Sequence, residues 1–213
     1  MNDNYFERFN LLNDGEQPDI LSIPNTPKSA NVLFIGEFKQ NPSLKNFTYE
    51  LIQNGLGYLS NLLGEGFDYL SKNWVIKSHK GKDVHMCEGI VMSLSVPRLQ
   101  KAQELFTKGH SDLLRLEQSQ IIHELLHNIT DLETIPMFAE ILYLIDKGDI
   151  KRISEIKELS TSGKLGKNHD QGLNEIKKIW GGVEDIFEVL KIENIEMLKS
   201  KFKDYFLEYC KEE

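Results

Sequence analysis

The strongest constraint on the fold is a run of apolar residues at three- and four-residue spacing, which extends from Leu44 to Leu63. This spacing places the apolar side chains on one face of a helix. Gly64 and Gly66 follow directly, and glycine is typical of the residues that end a helix. The sequence therefore predicts a long amphipathic helix over residues 44–63.

Short runs rich in β-branched and aromatic residues flank this helix. They are residues 32–36 (VLFIG), 74–78 (WVIKS) and 89–96 (GIVMSLSV). Such runs are typical of strands. The polar residues between the second and the third run are predicted to form a turn or a further short strand. We therefore expect an α+β fold with a small, partly antiparallel sheet on the N-terminal side.

Helical patterns dominate the remainder of the chain. Pro97 can open a helix after the third strand, and further helices are predicted over about 112–130 and 134–147. Residues 160–172 are small, polar and glycine-rich, which is typical of a mobile loop. The residues after this loop are predicted to be helical again.

Length and composition indicate a single domain over residues 1–213. We divide it into an N-terminal extension (1–43), a core (44–147) and a helical C-terminal part (148–213). Acidic residues outnumber basic residues 33 to 25, which argues against a general nucleic-acid-binding surface. The sequence has no run of the ~20 apolar residues that span a bilayer, no secretory signal pattern, and two cysteines only. We expect a cytoplasmic protein without membrane or nucleic-acid partners.

The clearest chemical signal is His-Glu-Leu-Leu-His at residues 123–127, inside a predicted helix. Each helical residue turns by ~100°, so His123 and His127 lie ~40° apart, with Glu124 beside them. Two neutral imidazoles suit Zn²⁺, and a neighbouring carboxylate can accept a proton from water bound to zinc. The opposite face of the helix is apolar, so the helix can bury one side and present the other to a site.

The segment IIHELLHNITDLETIPMFAEILYL resembles the active-site helix pair of the gluzincin-type zinc metallopeptidases. In that family the third zinc ligand is a glutamate on the helix that follows the H-E-x-x-H helix. Residues 136–140 (PMFAE) approximate the family segment that carries this glutamate, although the segment is one residue shorter here and lacks the glycine after Glu140. The resemblance covers about residues 44–147. It implies a zincin-like fold in which the strand in GIVMSLS edges the substrate cleft.

By this resemblance, His123, His127 and Glu140 are ligands of Zn²⁺ and Glu124 is the general base. The protein is then expected to be a zinc metallopeptidase that hydrolyses peptide bonds by Glu-assisted attack of zinc-bound water on a peptide or protein substrate. The alternative is a catalytically inactive zincin-fold protein with a binding or immunity-type role.

The identity of the third ligand has a second candidate. Glu133 lies six residues after His127, where the metzincins place their third ligand. The metzincin pattern has a glycine for a tight turn at the position of Thr130, and threonine adopts such a turn poorly. The sequence therefore favours Glu140 over Glu133.

Peptide hydrolysis also needs a hydrogen-bond donor for the oxyanion. In the gluzincins a histidine or a tyrosine from the C-terminal part serves. The candidates here are His169 and Tyr205, together with Tyr143, which lies one turn beyond Glu140.

Overall fold

The computed structural model describes residues 18–81, 85–109, 111–179 and 195–212, which have an α+β fold. The strands are β1 (Asp19–Ser22), β2 (Ser29–Ile35), β3 (Asn73–His79), β4 (Met86–Glu88) and β5 (Val91–Ser95). The helices are α1 (Glu37–Gln40), α2 (Pro42–Leu63), α3 (Val96–Thr107), α4 (Ser111–Leu126), α5 (Thr134–Asp146), α6 (Ile150–Thr161), α7 (Lys167–Ile179) and α8 (Ile195–Glu212), with a 3₁₀ helix at Gly64–Tyr69. None of the helices in these ranges combines the length and the apolar character needed to cross a membrane.

The strands form one mixed sheet in the order β1-β2-β3-β5-β4. The inner strands β2, β3 and β5 are parallel, whereas β1 and β4 pair antiparallel at the two edges. The predicted small, partly antiparallel sheet is confirmed, and β1 and β2 of this sheet fall within the predicted N-terminal extension. The strand in GIVMSLS forms the inner strand β5, and the short strand β4 takes the edge of the sheet beside α4.

Helix α2 confirms the prediction for residues 44–63. It begins after Asn41, whose side chain accepts a hydrogen bond from the Leu44 N–H at 3.1 Å. It ends at Gly64, where φ is +58°, a conformation that favours glycine. Its apolar face packs against α4 and joins the main core, together with the sheet side chains Phe34 and Ile76.

Helix α5 lies at the centre of the helical layer, in contact with α4, α6, α7 and α8. Its residues from Thr134 to Leu144 are all buried. A helix that is apolar nearly all round is stable only in such a position. Glu140 is thereby held in a buried position against α4.

The prediction of a mobile loop over 160–172 is wrong. Helix α6 continues to Thr161 and α7 begins at Lys167, so only residues 162–166 connect the two helices. The polar first part of α7 leads into two buried anchors, Leu173 and Ile176, which are one turn apart on this helix. Their burial against the core fixes a helix whose other faces are polar.

Candidate metal centre

His123 and Glu124 lie in the last turn of α4, and His127 lies in the turn that follows. The prediction of one helix to residue 130 is therefore too long by a turn. Ile121 and Leu125 anchor α4 in the core, and the motif lines a cavity of about 480 Å³. Helices α4, α5, α6 and α7 and strand β4 all contribute side chains to this cavity.

The ring of His127 is oriented by the turn after α4. Its Nδ1 lies 2.9 Å from the carbonyl oxygen of Thr130, and a carbonyl can only accept, so Nδ1 carries the hydrogen. The lone pair of Nε2 is therefore free for a ligand. The hydroxyl of Thr130 accepts a hydrogen bond from the N–H of Leu132 at 3.0 Å, which stabilises the same turn.

The sequence favoured Glu140 because threonine at position 130 was expected to adopt a tight turn poorly. The observed turn does not need that conformation. Among the described residues, Asn25 is the only non-glycine residue with positive φ. The chain thus reverses at Thr130 without the left-handed conformation that would have required glycine, and it brings Glu133 back to the motif.

The ring of His123 is oriented by Glu140. Its Nδ1 lies 3.1 Å from Oε2 of Glu140, whose Oε1 accepts a hydrogen bond from the hydroxyl of Ser119 at 3.3 Å. Nε2 of His123 points away from Glu140 and lies 3.2 Å from Nε2 of His127. Glu140 and His127 therefore contact different nitrogens of the same imidazole.

Glu133 lies at the N-terminus of α5 and directs Oε2 into the space between the imidazoles. This oxygen is 3.1 Å from Nε2 of His123, 3.6 Å from Nε2 of His127 and 3.5 Å from Nε2 of His169. The oxygen is buried, yet no donor among the described residues is aligned to form a hydrogen bond with it. An unsatisfied buried carboxylate oxygen surrounded by imidazole nitrogens is an arrangement that a cation would complete.

The spacing of these atoms fits a zinc ion. Ligand atoms at ~2.0–2.1 Å from a tetrahedral zinc lie ~3.3 Å from one another. The three distances that join Nε2 of His123, Nε2 of His127 and Oε2 of Glu133 are 3.1, 3.2 and 3.6 Å. The donor set of two imidazoles and one carboxylate is also one that zinc commonly uses.

His169, which the sequence nominated as an oxyanion donor, comes to the same place from α7. Its ring stacks on that of His123, with centroids 5.9 Å apart and an interplanar angle of 17°. One ligand atom each from His123, Glu133 and His169 lies within 4.8 Å of the other two. His169 remains 40% exposed, so it stands at the mouth of the cavity.

The electrostatics of the centre favour positive charge. Burial opposes protonation of His123, but the carboxylates of Glu133 and Glu140 raise its pKa to about 10. Burial likewise opposes ionisation of Glu133, but the surrounding imidazoles hold its pKa well below the usual range. The carboxylates of Glu133 and Glu140, which stabilise a proton on His123, also favour another cation beside it.

Glu124, the predicted general base, lines the same cavity and is 8% exposed. Burial raises its pKa to about 7, and Glu133 and Glu140 add to this, while the positive charge of the neighbouring imidazoles opposes it. Cys87 of β4 also lines the cavity, but burial and the charge of Glu124 raise the pKa of its thiol. Without a metal the thiol therefore stays protonated at neutral pH, and it donates a hydrogen bond to the carbonyl oxygen of Gly89 at 3.3 Å.

The two tyrosine candidates lie elsewhere. Tyr205 is on α8, beside the acidic residues Glu175, Glu208 and Glu212, and it is not among the residues that line the cavity. Tyr143 packs edge-on against Tyr58 of α2, with ring centroids 5.1 Å apart, and is also absent from the cavity. Tyr143 lies one turn after Glu140 on α5, but its ring packs against α2. Its closeness to Glu140 in sequence therefore does not place it at the centre.

A buried polar network behind the motif was missed in the sequence. His85 accepts a hydrogen bond from the N–H of Ser95 at 3.1 Å and donates from Nε2 to Glu117 at 2.8 Å. Arg98 donates to Glu117 at 2.9 Å and also to the side-chain oxygen of Gln120. Glu117 and Gln120 precede the motif on the same helix at a spacing of three residues, a signal that could have revealed them.

Comparisons with protein-family models, with curated proteins and with solved structures gave no match.

Proposed function

We propose that this protein is a zinc-dependent peptidase with a zincin-like centre, in which His123, His127 and Glu133 hold the metal. The observation that carries the proposal is the convergence of Oε2 of Glu133 and the imidazole Nε2 atoms at distances typical of a tetrahedral ligand set. The H-E-x-x-H motif adds a glutamate beside this ligand set.

In this proposal Glu140 is not a zinc ligand but a positioning residue. Its carboxylate accepts the Nδ1 hydrogen of His123, which leaves Nε2 to bind the metal. Carboxylates that hold a ligating histidine in this way fix its tautomer and raise its basicity. The ligand role expected from the gluzincin resemblance thus passes to Glu133, the metzincin-like position.

The chemistry divides between the metal and the chain. A zinc ion supplies a Lewis acid that polarises a carbonyl group and lowers the pKa of a water molecule. Glu124 accepts a proton from the attacking water and passes it to the leaving amine. His169, at the mouth of the cavity, donates a hydrogen bond to the developing oxyanion.

The position of His169, whose Nε2 lies 3.5 Å from Oε2 of Glu133, favours a second candidate function, a zinc-binding protein without catalysis. If His169 were a fourth ligand, all four zinc positions would be filled by protein, as in structural sites. The variant His169→Ala separates the two. The peptidase proposal expects zinc affinity within about tenfold of wild type, because three ligands remain. A loss as large as that in Glu133→Ala would favour the closed, non-catalytic site.

Cleavage of a random peptide library by the zinc-loaded protein tests the activity, with Glu124→Gln as the matched variant. This variant should keep one zinc per chain and lose about 10²–10⁴-fold in rate, the usual contribution of a general base. Wild-type-like cleavage by Glu124→Gln would refute the mechanism. Full zinc loading without cleavage by the wild type would favour the non-catalytic alternative.

A further inference from the structure

Arg152 of α6 forms part of the cavity wall and has no place in the zinc chemistry above. Its NH1 group donates to Glu155 on the same helix at 3.2 Å. Its Nε is buried and has no hydrogen-bond partner among the described residues. A guanidinium has five N–H donors in a planar fork, so this one retains donors for a ligand.

The charge of Arg152 is distinctive within the cavity. Among the described lining residues it is the one arginine or lysine, in a wall that also holds Glu124, Asp131, Glu133 and Glu140. Glu140 feels the positive charge of Arg152, but its two oxygens already accept hydrogen bonds from His123 and Ser119. The guanidinium therefore stabilises the negative charge of Glu140 by its own charge, and not through a hydrogen bond to it.

Three apolar side chains line the same cavity as Arg152. Ile156 lies one turn further along the same face of α6, and it lines the cavity together with Met137 of α5 and Leu165 of the connection before α7. The cavity wall thus offers a ligand one guanidinium group and three apolar side chains, beside its four carboxylates.

We propose that this wall binds a carboxylate of the substrate through Arg152 and seats an apolar side chain against Ile156, Met137 and Leu165. The inference rests on the proposed peptidase function and defines its substrate class. In a peptide, a carboxylate next to an apolar side chain is found at a C-terminal residue, and an acidic side chain supplies the same charge without the free terminus. Carboxylate–guanidinium pairing is geometrically specific, since two parallel hydrogen bonds can form.

The test measures binding to zinc-loaded Glu124→Gln protein, so that turnover does not interfere. Calorimetry compares three N-acetylated tripeptides: Ala-Ala-Leu as the free acid, Ala-Ala-Leu as the amide, and Ala-Ala-Glu as the amide. We expect the free acid to bind about 10- to 100-fold more tightly than its amide, the usual range for hydrogen bonds to charged groups. Tight binding of the glutamate amide would identify an acidic side chain as the source of the carboxylate.

Variants made in this background assign the effect. Arg152→Gln should abolish the difference between acid and amide, and Arg152→Lys, which keeps the charge without the fork, should reduce it. Lys151→Gln removes the same charge from the adjacent, 87% exposed position and should leave the difference intact. Equal binding of acid and amide, or a preference that survives Arg152→Gln at full zinc loading, would overturn the proposal. Failure of the wild type to cleave any peptide would count against the peptidase function instead, because the binding comparison needs no turnover.

Discussion

Each imidazole of the candidate metal centre is held in its orientation by a hydrogen bond at Nδ1, the ring nitrogen that faces away from the centre. The carbonyl of Thr130 fixes His127, and the carboxylate of Glu140 fixes His123. Both partners act on Nδ1, so both Nε2 atoms turn towards Oε2 of Glu133. A ligand and a positioning residue therefore differ by which side of an imidazole they contact, and this difference predicts different consequences of mutation.

Replacement of each glutamate by alanine should show this difference in zinc affinity. Glu140→Ala should weaken zinc binding by about 10- to 100-fold, the range for residues that orient a ligating histidine. Glu133→Ala removes a ligand and should weaken binding further. Competition with a chromogenic chelator measures both dissociation constants under the same conditions. A greater loss in Glu140→Ala than in Glu133→Ala would restore the ligand assignment expected from the sequence.

Among the elements, α7 packs against Glu133 and carries His169, so it supports the position of a proposed ligand. It crosses the start of α5 at Gly172, where an added Cβ would lie 3.1 Å from the backbone carbon and Cβ of Glu133 and 3.2 Å from its carbonyl oxygen. This close approach, and not the backbone angles, disfavours a larger residue here, because the backbone of Glu133 or α7 would have to shift by a few tenths of an ångström. The same contact holds His169, one turn earlier on α7, beside Glu133.

The variant Gly172→Ala tests this close approach. Alanine in a helix interior is normally favoured over glycine by about 1 kcal/mol, so an unconstrained site would be stabilised. We expect the opposite, a lower melting temperature and weaker zinc binding, because α7 or the backbone of Glu133 must move. Asn174→Ala, at an exposed position of the same helix, is the control and should be neutral or stabilising. A stabilised Gly172→Ala with unchanged zinc affinity would show that α7 does not position Glu133.

The elements with strong apolar periodicity could be predicted from the sequence, and those fixed by few contacts could not. The spacing from Leu44 to Leu63 identified α2, and the H-E-x-x-H spacing predicted that the imidazoles of His123 and His127 lie close together, as they do at the end of α4 and in the turn after it. The first part of α7, residues 167–172, was predicted as loop because it is polar and its buried anchors Leu173 and Ile176 follow it. The proposed choice of Glu133 over Glu140 depends on the course of the turn at Thr130, which spacing along a helix does not determine.

At the scale of the whole molecule, the proposed zinc joins the end of α4 to the start of α5, beside α7. His123 and His127 belong to α4 and the turn after it, Glu133 directly precedes α5, and His169 of α7 lies next to them. These donors converge only in the folded chain, so a metal that binds there stabilises the native state. Removal of the metal should therefore destabilise the helical layer as a unit.

Thermal unfolding with and without zinc measures this linkage. Zinc at a thousand times its dissociation constant adds about 4 kcal/mol, which corresponds to a rise in melting temperature of about 8–16 °C for a chain of this size. EDTA should reverse the rise. In His123→Ala the melting temperature should not respond to zinc. A wild-type melting temperature that is the same in zinc and in EDTA would contradict a metal bound to the native state.

The most direct test of the zinc centre is a crystal structure of the zinc-loaded protein with anomalous diffraction recorded at the zinc edge. We predict one anomalous peak, with Nε2 of His123, Nε2 of His127 and Oε2 of Glu133 at ~2.0–2.2 Å from it, and Glu140 bonded to Nδ1 of His123. A peak coordinated by Glu140 in place of Glu133, or no peak between His123 and His127, would contradict the account.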